Sequence, residues 1–224
     1  MTAPAPYDGA GSLFALAVRA TKLAADGSPL VGTSSGYITD ALVKTDIGLT
    51  YNETEAVTQL NGTGVACVMF QAPASVSRGS VGGLQICQPD PVLKQFFLGG
   101  DIILSEGVTP APIGYRAPLA NVQQNPNGIS IEFWSRAVIG SSYATVLPYI
   151  HWVLPKVSLI PAGTWSLAAD AAMVPEFEGY SEQNTGWGSG PEDDWEYPSD
   201  RVWQYARVPT LPDLTRRFIE IEAP

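Results

Sequence analysis

The stretch Val81–Gly100 reads VGGLQICQPDPVLKQFFLGG: a strand, a stop and a helix in succession. Val81–Cys87 is a β-run. Asp90 then offers a side chain to cap orphan backbone N–H groups, and Pro91 takes the first helical position, where its missing N–H costs nothing. Val92, Leu93, Phe96 and Phe97 form one apolar stripe at helical spacing, and Gly99 with Gly100 ends it. A helix of about two turns is marginal on its own, so this stretch predicts a short helix over residues 90–98 flanking a sheet.

Outward from there the chain reads as strands. Before the helix lie Leu13–Val18, Ala41–Leu49, Ala56–Leu60 and Gly64–Phe70; after it come Ile129–Ile139, Ile150–Ile160, Met173–Gly179 and Val202–Val208. In ISIEFWSRAVIG, Ile129, Ile131 and Phe133 alternate with Ser130, Glu132 and Trp134, a period of two with one mainly apolar face. In GVACVMF, Val65, Cys67 and Met69 on one side meet Ala66, Val68 and Phe70 on the other. That pattern predicts a strand buried on two sides, or one covered by a neighbouring subunit. The 22 glycines and 19 prolines recur throughout, favouring many short strands and a mainly β fold. No fixed-period repeat, low-complexity tract or linker divides the chain, so a single domain is expected.

A chain of 224 residues buries about 70% of its unfolded surface and needs no disulfide or metal staple. Hydrophobic residues make up 45% and charged residues 15%, against a usual charged share of about 25%. So sparse a charge predicts extensive contact surface. No run approaches the ~18 apolar residues that span a bilayer, and no basic region precedes Leu13–Val18, so neither membrane insertion nor a secretion signal is expected. Cys67 and Cys87 lie in apolar patterns and are expected as buried thiols on two strands, since a disulfide needs an oxidising compartment. The net charge is -10, and nine carboxylates with no lysine or arginine fall between Asp170 and Asp200. Such a segment repels nucleic acid, which disfavours a DNA-binding module.

The candidate chemistry is thin. His151, the only histidine, sits in the strand YIHWVLP and reads as a packed or hydrogen-bonded residue. One histidine and two separated cysteines make no tetrahedral zinc set, and no G-x-S-x-G turn presents a nucleophilic serine. GSGPEDDW (188–195) lacks the alternating oxygen ligands of a calcium loop. NGTGV (61–65) has no helix or lysine after it, so a hairpin turn is expected rather than a phosphate cradle. Glu176 and Glu178 are the most serious catalytic pair. They point side by side from one strand, whereas glycosidase carboxylates flank a substrate. The chain is therefore not expected to be an enzyme or to hold a cofactor or metal.

The order of segments resembles the major tail tube protein of long-tailed, siphovirus-type actinobacterial phages. The likeness rests on GYITDALVKTDIGLTYN, NGTGVACVMFQAP, the strand–PDP–helix–GG arrangement, GISIEFWSRAV, PYIHWVLPKVSL, and VPEFEGYSEQNTGWGSGPEDDWEY with WQYARV. It covers about Gly36 to Val208. It implies a β-sandwich or barrel-like domain over 34–208 (with the long loop 182–200), preceded by an arm and first strand at 1–33 and followed by a tail at 209–224. It implies rings of six subunits, stacked heterologously into a hollow tube that conducts phage DNA without binding it specifically. A tape-measure protein, a tail terminator and a distal tail protein are the implied partners, and the virion tail, assembled in the host cytoplasm, is the implied location.

Six subunits would bring about -60 to each ring, and a bore lined by part of it would let DNA slide. The expected lumen-facing acids are Asp40, Asp46, Glu53 and Glu55, or those of the 170–200 segment; the sequence does not choose. Ser34–Gln59 and Glu182–Asp200 are candidate contact segments, with Tyr7, Trp187, Trp195 and Trp203 as aromatic anchors. For Trp195 and Trp203 a place in the core is equally compatible. The alternative readings are a monomeric carbohydrate-binding β-sandwich with tryptophan platforms, a glycosidase using Glu176, and another ring-forming tail component such as a terminator.

Overall fold

The structure, a computed structural model, describes residues 10–52, 57–70, 73–87, 90–121, 125–163, 174–188, 200–215 and 217–221, without the side chains of 13, 57 and 66–70. Among these residues the strands are β1 (Gly11–Lys22), β2 (Gly32–Thr39), β3 (Leu42–Asn52), β4 (Val57–Leu60), β5 (Ala66–Phe70) and β6 (Ser75–Ile86). The helix α1 (Pro91–Leu98) follows, then β7 (Asp101–Leu104), β8 (Pro112–Arg116), β9 (Ile129–Ile139) and β10 (Ser142–Tyr143). The series ends with β11 (Tyr149–Pro161), β12 (Glu176–Ser181), β13 (Gln204–Val208) and β14 (Arg217–Ile221). The fold is mainly β, as expected.

Ten strands form one antiparallel sheet in the order β14-β2-β1-β9-β11-β12-β6-β3, with β10 on β9 and β13 on β11. β12 and β13 share one edge of β11: β13 pairs with Tyr149–Val153 and β12 with Val157–Pro161. The sheet curls until its far edge approaches β1, where Ser12, Phe14 and Ala15 line a cavity of about 400 Å³ together with Leu42, Val43 and Ile47. Two hairpins, β4–β5 and β7–β8, pair only within themselves.

The helix is capped as its sequence predicts. Asp90 Oδ1 accepts the N–H groups of Val92 (2.9 Å) and Leu93 (3.2 Å), while Tyr37 donates its hydroxyl to Oδ2 at 2.6 Å. Val92, Leu93, Phe96 and Phe97 are all buried and meet Val18, Ile131, Leu154 and Phe177 in the main core. Phe97 sets its ring edge-on to Phe177 at 5.1 Å. Each buried aromatic side chain contributes about 1.5–3 kcal/mol, so tertiary packing rather than propensity holds so short a helix.

Several expectations are corrected here. β9, read as having one mainly apolar face, is buried on both: Ser130, Glu132 and Trp134 are as buried as Ile129, Ile131 and Phe133. A second layer covers that face, with Leu211 and Leu214 packed on Ala17, Trp134 and Val208, and Trp187 packed on Leu23 and Val153. Within the tail at 209–224, β14 pairs with β2 and extends the sheet. Cys87 is exposed, lying just past the end of β6 rather than inside it. The side chain of Cys67 lies outside the described residues, as do the two faces proposed for GVACVMF. Among the described residues no helix is long and apolar enough to cross a membrane.

Candidate functional site

β3 and β6 pair at the edge of the large sheet, and the chain between them carries the β4–β5 hairpin; the outer ends of β3 and β6 with that hairpin are the arm. Its turn is the NGTGV stretch: Asn61 Oδ1 accepts the N–H groups of Thr63 (3.0 Å) and Val65 (2.9 Å). Gly64 lies at φ 79°, a left-handed backbone that suits glycine. Alternation along β3 and β6 gives the arm two faces. On the inner face Ile47 sits opposite Val81 and Leu49 opposite Gly79. Leu49, Tyr51, Val76, Leu60 and Val65 are exposed along the arm, and no charged residue occurs from Val57 to Phe70.

The outer face near the sheet is different. Asp46, Gly48, Ser80, Gly82, Ser158, Ile160, Glu178 and Tyr180 line a shallow groove across β3, β6, β12 and β11. Asp46 is exposed and paired with Lys44 at 2.9 Å, which raises the lysine's pKa, while Arg78 lies over the Tyr180 ring at 4.4 Å. Glu176 accepts a hydrogen bond from Gln85 at 2.9 Å. Acids of the two segments that the sequence left as rivals, Asp46 and Glu178, therefore share one face. Asp46, Glu176 and Glu178 are met there by Lys44 and Arg78, an excess of one negative charge. Nine of the 22 carboxylates and one of the 12 cations fall outside the described residues, which carry a net charge of about -2.

The remaining candidates divide. Tyr7, Trp195, Glu53 and Glu55 lie outside the described residues, and so does most of GSGPEDDW. Asp40 is exposed at the turn between β2 and β3. Trp203 is half-buried and internal: its indole N–H donates to Gly48 O at 2.9 Å, and its ring packs near Trp152 (5.9 Å). Trp187 is a correction. It is 3% exposed, so within the subunit it is core and not a contact surface. The cause is local: Asn184 donates to Gly27 O (2.8 Å) and Pro155 O (2.9 Å) and accepts from Gly186 N–H (3.0 Å), which folds the loop inward over Leu23 and Val153.

The structure adds a cluster that the sequence reading did not single out. Arg19 and Glu132, directly opposite each other on β1 and β9, form a two-pronged pair at 2.6 and 2.7 Å. His151 on β11 reaches the same carboxylate through Nε2 at 3.0 Å and stacks on Trp134 at 4.3 Å. All three charged or titratable residues are buried. Burial alone would push the Glu132 carboxyl up, but Arg19 and His151 outweigh it and hold it at about 2. An ionised carboxylate only accepts, so Nε2 of His151 carries the proton. The expectation of a hydrogen-bonded, packed histidine is met. The available signal was a charge in the middle of each apolar run, AVRAT and SIEFW. The cluster is sealed from solvent, and it ties three central strands together.

No protein-family model matches the chain, and no curated protein matches it.

Proposed function

We propose that this chain is a structural subunit that assembles with copies of itself into six-fold rings, stacked into the hollow tail tube of a phage virion. The observation that carries the reading is the arm, with apolar side chains set in water and an uncharged tip. A solitary subunit gains nothing from such a surface, whereas a neighbour that covers it gains about 25 cal/mol per Å² buried. The edge of the sheet at β14, unpaired among the described residues, favours the same reading, since unpaired backbone groups are a template for another chain.

In this reading the groove face of β3, β6, β12 and β11 is the bore wall. Gly48, Ser80, Gly82 and Ser158 keep the floor of its groove low, with Ile160 and Tyr180 standing beside them. Its described charge comes to about -6 per ring of six, far less than the whole chain's net charge would give. Heterologous stacking leaves the polymer open-ended.

The carbohydrate-binding alternative needs an aromatic ring with an open face. Among the described tryptophans, Trp134 and Trp187 are buried, and Trp152 and Trp203 pack on one another. Negative-stain microscopy and mass photometry across a concentration series test the proposal. Hollow tubes or rings with six-fold end views are expected. Discrete rings that never stack would favour a terminator-like component, and a monomer that binds glycans would overturn the proposal.

A further inference from the structure

Arg136, near the end of β9, meets no carboxylate among the described residues. Its guanidinium lies over the rings of Tyr143 (4.9 Å) and Tyr149 (5.4 Å), its Nε is buried with no hydrogen-bond partner, and no ion pair joins it to a described carboxylate. β9 supplies the arginine, and the two tyrosines stand along its neighbouring edge, Tyr149 opposite Arg136 and Tyr143 opposite Val138. The loop between them is apolar and exposed, with Val146 at 73% and Tyr143 at 52%. The loop is also held in place. Leu147 has a left-handed backbone (φ 50°), and Arg207 donates to the carbonyls of Val146 and Leu147. Backbone held in a sparsely populated region points to a functional constraint.

An arginine between tyrosines with an apolar rim is the side-chain composition of interface hot spots. The guanidinium has fork geometry suited to a carboxylate and finds none among the described residues of its own subunit. We infer that this clamp receives a carboxylate of a second copy of the chain. Charge complementarity selects that occupant: the chain carries -10 overall, and Asp101, Glu106, Glu178 and Glu220 are exposed on surfaces away from the clamp. A clamp on one surface and an acid on another make a heterologous contact, which propagates rather than closing on itself as a two-fold pair. The inference rests on the self-assembly proposed above.

The test is sedimentation velocity of the full chain at low and high salt, on the wild type, Arg136→Gln and Arg136→Lys, with circular dichroism as the check on folding. Wild-type association weakened by salt, a concentration threshold raised about tenfold in Arg136→Gln, and partial return in Arg136→Lys are expected. A folded Arg136→Gln that assembles at the wild-type threshold overturns the clamp and leaves the self-assembly reading standing. A wild type that stays monomeric at every concentration overturns both. Binding of a labelled single-stranded oligonucleotide by the wild type, lost in Arg136→Gln, would assign the clamp to phosphate and overturn the carboxylate assignment.

Discussion

At the centre of the sheet an arginine, a glutamate and a histidine are sealed from water, while along the arm leucines, valines and a tyrosine stand in it. The usual distribution is reversed in both places. In the centre the reversal is tolerable because both carboxylate oxygens of Glu132 are engaged, with Arg19 and His151 both donating to the one acceptor. Such a cluster contributes little net stability against an apolar core, but it punishes any strand register that separates its members. The arm has no internal compensation of this kind. What makes its apolar side chains favourable has to come from outside the subunit.

The most damaging way to probe this contrast is Glu132→Ala. It strands Arg19 in the interior and should cost about 3–5 kcal/mol in urea unfolding, whereas Arg19→Met with Glu132→Leu together should cost much less. A single substitution as mild as the double would mean that the cluster is not a unit. Acid sharpens the point. The Glu132 carboxyl lies near about 2 folded against an ordinary 4.5, so its stabilisation is complete above about pH 4.5 and drains away as the pH falls toward 2. An acid titration of the wild type should show that component, and Glu132→Gln should lack it.

Gly27→Ala acts in the turn between β1 and β2. A Cβ there would lie 2.1 Å from Asn184 Oδ1, on a backbone at φ 89°, so the loop that seats Trp187 has to shift. A loss of about 1–3 kcal/mol is expected, with tryptophan fluorescence reporting Trp187 becoming more solvated. The smallest effect on folding belongs to the arm. Leu49→Ser with Tyr51→Ser should change subunit stability by no more than about 0.5 kcal/mol and yet abolish assembly. A large loss of stability would show that the arm supports its own subunit after all, and the contrast would fail.

Much of the fold was legible where a local signal exists. The helix announced itself through Asp90, Pro91 and the glycine pair, and the NGTGV turn through Asn61 and Gly64. β2 and β14 were harder to read, because GTSSGYIT is mostly small and polar and RFIEI alternates charge with apolar residues at a sheet edge. Trp187 misled for a tertiary reason. Nothing in GYSEQNTGW says that Asn184 will bond to a carbonyl 157 residues away. Asp46 and Glu178 come from distant segments, and only the strand order β12-β6-β3 brings them to one face. The Arg136 clamp was equally hidden, since two tyrosines six residues apart meet one arginine only through hairpin pairing.

The strand order also has a consequence in time. Arg217 sits opposite Ile38, so β2 leaves the ribosome long before the strand that covers its outer edge. Contacts that distant form late, and until then a nascent chain carries an uncovered edge in a crowded compartment. Synthesis rate and chaperone supply thus become determinants of yield. A chain stopped before Arg217 should move largely into the pellet, whereas a fully soluble truncation would show that β2 needs no such cover.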